Sequence, residues 1–170
     1  MKKATPIILI SALVLIAYGY ICRMTNLYFF WDSKNIGWLL LFVGLLLALI
    51  NAYQSRKKSG QKTVWVIIGI IFLAIGLIAA PLAIFFMKNS DAYTFATDYL
   101  KNDSTIVNDV GSVKGFGLFP TGSVSMRSIN GIESGDADFT FTIKGTKKFR
   151  DIEIRIRKEP TSDWKVLWVE

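Results

Sequence analysis

The stretch VWVIIGIIFLAIGLIAAPLAIFFM, Val64 to Met87, runs for 24 residues without a single formal charge. At 1.5 Å rise per residue it makes a helix of about 36 Å, longer than the roughly 30 Å of hydrocarbon in a bilayer. It therefore predicts a transmembrane helix with length to spare for tilting. Pro81, in its last third, is a candidate kink. Two runs upstream, Ala4 to Cys22 and Ile36 to Tyr53, are also free of internal charge. Together they predict a three-span membrane domain over 1–87 and leave 88–170 for a polar domain. Composition agrees, since 52% of the residues are hydrophobic, more than an ordinary soluble chain carries.

Charge is divided along the same line. Met1 to Met87 holds eight Lys or Arg and one Asp, whereas Lys88 to Glu170 holds twelve Lys or Arg and twelve Asp or Glu. The whole net charge of +7 thus lies in the hydrophobic half. A basic protein can signal nucleic-acid binding, but here the folded polar half is neutral, so the excess reads as topology. The segment Gln54 to Thr63 carries Arg56, Lys57, Lys58 and Lys62 and no acid, which predicts a cytoplasmic loop. The N-terminus, with Lys2 and Lys3, is then also cytoplasmic, and the C-terminal domain lies outside. The aromatic segment Asn26 to Trp31 suits the headgroup zone on the outer side. In a chain that reads as bacterial, this is a multi-pass protein of the cytoplasmic (inner) membrane with a periplasmic or extracellular domain.

The first run resembles a signal peptide, but Tyr18 to Cys22 offers no small-x-small cleavage site. Ile21 is too bulky for lipoprotein processing at Cys22, so an uncleaved helix is expected. Gly37, Gly44 and Ala48 recur at i, i+7 and i+11, and Gly69, Gly76 and Ala80 repeat that spacing. Small residues on one face let helices approach closely, which predicts that the second and third spans pack together. No ionisable residue lies inside a span, which argues against a proton or ion pathway.

In the polar half, Asn89 or Ser90 can cap a helix with Asp91 in its first turn. Phe95, Ala96, Tyr99 and Leu100 give it an apolar face. Asp103 or Ser104 can cap a short second helix through Ile106, Val107 and Val110, ended by Gly111. The period then changes to two in Ser123 to Arg127, Ala137 to Ile143, Arg150 to Arg157 and Trp164 to Val169. Turns are expected at Asn130-Gly131, Gly135-Asp136, Gly145 to Lys148 and Glu159 to Asp163. The pattern predicts an α+β domain, one or two helices packed on an antiparallel meander. Phe95, Tyr99, Phe139, Phe141, Trp164 and Trp168 are its expected aromatic core.

The chain has no histidine and one cysteine, Cys22, which excludes intramolecular disulfides, Cys/His zinc sites and histidine-based catalysis. Glu133, Asp136 and Asp138 are too few and too close for a calcium loop and read as a polar turn. Gly111 to Gly117 lacks the order of a phosphate loop. No catalytic, cofactor-binding or metal-binding residue is expected, and no small-molecule substrate. Lys147, Lys148, Arg150, Arg155 and Arg157 form a candidate basic rim for an acidic partner or anionic lipid.

The order of features from Ser90 to Glu170 resembles the cytochrome oxidase assembly factor 1 family. Those features are a helix at Asp91 to Leu100, a short helix ending in Gly111, a glycine-containing strand from Gly115 to Gly122, a small-residue strand entry at Gly135 to Phe139, a strand ending in Gly145, a charged alternating strand, and Trp164 opening the last strand. The resemblance implies structural roles for Gly111, Gly122, Gly145 and Trp164. It also implies a membrane-anchored, non-enzymatic binding or assembly factor whose outer domain contacts a membrane or exported protein. Lys147 and Lys148 stand where family members often carry a second glycine, and the two extra spans depart from the usual single anchor. The other expectation is an envelope immunity or exclusion protein acting against a toxin or phage.

Overall fold

The structure is a computed structural model that describes residues 4–130, 132–160 and 162–170, and the side chains of all of these but Ile132. The expectations placed on Lys2, Lys3, Gly131 and Thr161 lie outside the described residues. The chain forms two compact units, Met1–Leu82 and Ala83–Glu170. The division falls inside a helix, five residues before the boundary expected at Met87, because Met87 itself packs on the core of the second unit.

The first unit contains three helices long and apolar enough to cross a membrane: α1 (Ala4–Thr25), α2 (Ser33–Lys58) and α3 (Val64–Lys88), the last of which runs through Pro81. α2 extends five residues beyond Tyr53, so Arg56, Lys57 and Lys58 form its last turn rather than a loop. Cations there complement the negative end of the helix dipole, and their stems extend the helix beyond its apolar length.

α1 and α2 pack through small residues seven apart. Thr5, Ala12 and Gly19 of α1 are buried, and Gly37 and Gly44 of α2 face them. A Cβ on Gly37 would lie 2.8 Å from the Ala12 carbonyl oxygen, and one on Gly44 would lie 2.6 Å from Leu9. Asn51 continues the seven-residue series and donates to the Thr5 hydroxyl at 2.9 Å, a polar bond across an apolar seam. The expected packing of α2 on α3 through these small residues is not found. The α2 glycines are occupied by α1, Gly69 approaches only Leu49, and Gly76 opens on empty space. Ala48 is half-buried and Ala80 exposed. α3 is apolar all round with Val66 as its one buried residue among those described, the pattern of a helix solvated by lipid or by another helix.

The second unit contains α4 (Asp91–Asn102), α5 (Ser104–Val110) and five strands. Ser90 caps α4 by accepting from the Tyr93 N–H, and Asp103 caps α5 by accepting from Thr105 and Ile106. Gly111 ends α5 with φ +79°, a left-handed conformation that favours glycine. The strands are β1 (Val113–Phe116), β2 (Thr121–Ile129), β3 (Ile132–Gly145), β4 (Phe149–Lys158) and β5 (Trp164–Val169). The sheet is antiparallel, with β4 and then β5 on one side of β3 and with β1 and β2 sharing its other side.

Two expectations are corrected here. Gly135-Asp136 is no turn: it lies inside the 14-residue β3, paired with both β2 and β4. The single strand expected from Gly115 to Gly122 is instead broken between Phe116 and Thr121, where Pro120 lacks the N–H that a continued ladder needs. The core is Ala92, Ala96, Leu100, Ile106 and Val110 of the helices against Phe139, Phe141, Ile143, Ile152, Ile154, Ile156 and Trp164 of the sheet. Its depth turns on Gly145, where a Cβ would overlap the Val110 carbonyl.

Candidate functional site

Strand alternation sends one set of β3 and β4 side chains into the core and the other set to solvent. The solvent set is charged and arranged in cross-strand pairs. The register places Asp138 opposite Arg155 and Asp136 opposite Arg157, and both pairs form. Arg155 donates to Asp138, and Arg157 donates to Asp136 at 2.7 Å. At the sheet end, Lys148 and Arg150 both reach Asp109 of α5, at 2.6 and 2.9 Å. Lys147 donates to the Asn108 carbonyl at 2.9 Å. On the core-facing side, Lys158 pairs with Glu133 at 2.9 Å. The bonds from Lys148 and then Arg150 hold the Asp109 carboxyl below the usual carboxylate range, and Lys158 does the same to Glu133. Asp138 in turn raises the Arg155 guanidinium.

These contacts change the meaning of the expected basic rim. The five cations Lys147, Lys148, Arg150, Arg155 and Arg157 all bond within the domain. Four of them face a carboxylate that offsets their charge, Lys147 meets only a carbonyl, and all keep further N–H donors open to solvent.

The residue that sequence reasoning misplaced is Trp168. It was expected in the core and is 39% exposed on the solvent face, where the Arg155 guanidinium lies 5.7 Å from its ring centre. The cause is a register shift between Arg155 and Ile156, which leaves Leu167 as an extra residue on β5. The bulge keeps Trp164 and Val166 on the core side, turns Trp168 outward, and leaves Leu167 46% exposed beside it. The signal was the run Val166 to Val169, apolar at every position, which strict alternation cannot bury. A cleft of about 170 Å³ lies beneath Trp168, lined by Gly122, Asp138, Thr140, Glu153 and Arg155.

No family model matches the chain, and no curated protein or solved structure matches it.

A larger depression of about 500 Å³ lies at the α4–α5 elbow, lined by Phe95, Asp98, Tyr99 and Asp103. Its best-placed carboxylate is already engaged. Asp103 is held below its ordinary range by the Ile106 N–H it caps, and it raises the Tyr99 hydroxyl beside it. Among the described residues no cluster of three or more His, Cys, Asp or Glu is placed to hold a metal ion. Gly111, Gly122, Gly145 and Trp164 act structurally. Gly111 ends α5, and Gly145 lets β3 approach Val110. A side chain on Gly122 would overlap the Asp138 carbonyl, and Trp164 is buried in the core.

Proposed function

We propose that this chain is a membrane-anchored binding or assembly factor without enzymatic activity. Its β domain lies outside the cytoplasm of a bacterial cell and contacts a membrane or exported protein. The observation that carries this reading is the Trp168–Leu167 patch beside Arg155. Single exposed apolar residues are common. An exposed tryptophan with an arginine over its ring joins two of the residue types that most often anchor protein interfaces, and the exposed Leu167 next to it in sequence adds apolar area. The bulge at Leu167 makes β5 a poor template for an added strand, so recognition here is by side chains. The likeness of the domain's feature order to the cytochrome oxidase assembly factor 1 family supports a role of the same class.

The test is crosslinking in intact cells with a photoreactive residue at position 168 of the full-length protein, followed by identification of the adduct. One reproducible membrane or exported protein is expected, and Trp168→Ala should reduce its recovery at least tenfold in a chemical-crosslinking pull-down. Adducts to lipid alone, or unchanged recovery with Trp168→Ala, would overturn the reading.

A further inference from the structure

β2 is an open edge of the sheet, and two of the four residue pairs about its central Ser125 match in character. Over Thr121–Ile129 it pairs with β3 through nine consecutive residues without a register shift. β3 is its one strand partner among the described residues. Sheet edges are normally blunted by proline, bulges, inward charges or brevity. β1 is short and shifted in register, and β5 carries a bulge. Of such devices β2 has one, the charged side chain of Arg127. It contains no proline and one charge, Arg127, and eight of its nine residues are exposed, with Val124 half-buried. Met126 is 49% and Ile129 59% exposed.

Centred on Ser125, the strand reads Val124 and Met126 at one step, Ser123 and Arg127 at two, Gly122 and Ser128 at three, and Thr121 and Ile129 at four. Antiparallel pairing of two copies about that centre therefore matches Val124 with Met126 and Gly122 with Ser128, and sets Thr121 opposite Ile129 and Ser123 opposite Arg127. On the helix-bearing side, Val124 of each copy meets Met126 of the other, extending the core layer with apolar area that now faces water. On the other side, Arg127 of one copy meets Ser123 of the next, whose partner across β3 is Asp138. Arg127 has no ion pair or hydrogen bond of its own among the described residues, and this placement sets it near Asp138, which already pairs with Arg155. The two Arg127 side chains stand four positions apart, about 13 Å along the strand, and do not oppose each other. A self-complementary patch of this kind is what a two-fold interface requires.

We infer that the protein forms a two-fold homodimer by antiparallel β2–β2 pairing centred on Ser125, which joins the two five-stranded sheets into one of ten strands. Trp168 itself stands on β5, the edge strand on the other side of the sheet, although Gly122 of β2 lines the cleft beneath it.

Ser125 is the one position that meets itself, so it provides the test. In full-length protein with Cys22→Ala, oxidation of native membranes should convert Ser125→Cys into a disulfide-linked species of twice the chain mass. Thr146→Cys, on an exposed turn away from β2, should yield at least tenfold less. Met126→Lys places a charge on the exposed apolar strip without touching the buried core. In detergent, sizing by light scattering should show it shifted from dimer to monomer, with an association constant at least tenfold weaker. Equal crosslinking at 125 and 146, absence of the 125 dimer, or a Met126→Lys protein that remains dimeric would each overturn the inference.

Discussion

Asp109 of α5 ties down the start of β4 and the turn before it, pairing with Lys148 in that turn and with Arg150 in β4. Its carboxyl is held below the ordinary range by Lys148 first and Arg150 second. A depressed folded value means that ionisation favours the folded state. The contribution is complete above the unfolded carboxylate value of about 3.9 and is lost as pH falls through the lower folded value. Asp109→Asn should therefore lower the melting temperature at pH 7, and the gap to wild type should narrow steadily below about pH 4. A gap independent of pH, followed by circular dichroism, would assign the contact no electrostatic role. Gly145 gives a steric test. A Cβ there meets the Val110 carbonyl, whereas one at Gly115 meets nothing within 4 Å. Gly145→Ala should destabilise the domain by about 1–3 kcal/mol and Gly115→Ala by less than about 0.5 kcal/mol, measured by urea unfolding. At this scale much was legible in advance. The caps at Ser90 and Asp103 and the helix-ending Gly111 follow from local hydrogen bonding and backbone conformation. The pairing of Asp138 with Arg155, and the outward turn of Trp168, depend on which residue of one strand faces which residue of another.

Element by element, charge-free apolar length located the three long helices, and local capping and periodicity located the two short ones and the alternating strands, but not their joints. β3 passes straight through Gly135-Asp136 because β4 on one side and β2 on the other hold it extended, and cross-strand hydrogen bonds outweigh the turn preference of that dipeptide. The helical hairpin shows the same limit. The glycine stripe of α2, expected against α3, lies against α1 instead, since a stripe does not name its partner. The deciding series was Thr5, Ala12 and Gly19, which faces Gly37, Gly44 and Asn51 with the same seven-residue spacing. Gly37 sits over the Ala12 carbonyl, and backbone does not move aside as a flexible side chain does. Gly37→Leu should then destabilise the helical unit by about 1–3 kcal/mol, while Gly76→Leu, facing open space, should leave it unchanged. Unfolding of the full-length protein in detergent compares the two. Equal losses would mean that the α3 stripe is also buried, against a helix of another chain.

For the whole molecule, the sharpest physical statement concerns charge. All of the net +7 resides in the apolar half and its connections, while residues 88–170 balance twelve cations against twelve anions. In the domain, five cations of the expected rim are bonded at home, so that half contributes little field of its own. The uncompensated charge is concentrated at Arg56, Lys57, Lys58 and Lys62, around the end of α2 and the start of α3. Positive residues close to the ends of spans resist translocation, and acids contribute little to that choice. With three apolar helices in series, holding this cluster in the cytoplasm fixes the other connections by parity. The segment between α1 and α2 and the domain after α3 are then outside. A reporter active only outside the cytoplasm, fused after Glu170, should be fully active, and one fused after Gly60 should be silent. Replacing all four cations by Gln should remove the largest orienting signal. The Glu170 fusion should then lose a measurable share of its activity as a second orientation becomes populated. Activity that starts low and does not respond to the four substitutions would reverse the orientation, place the Trp168 patch in the cytoplasm, and exclude an exported partner for it.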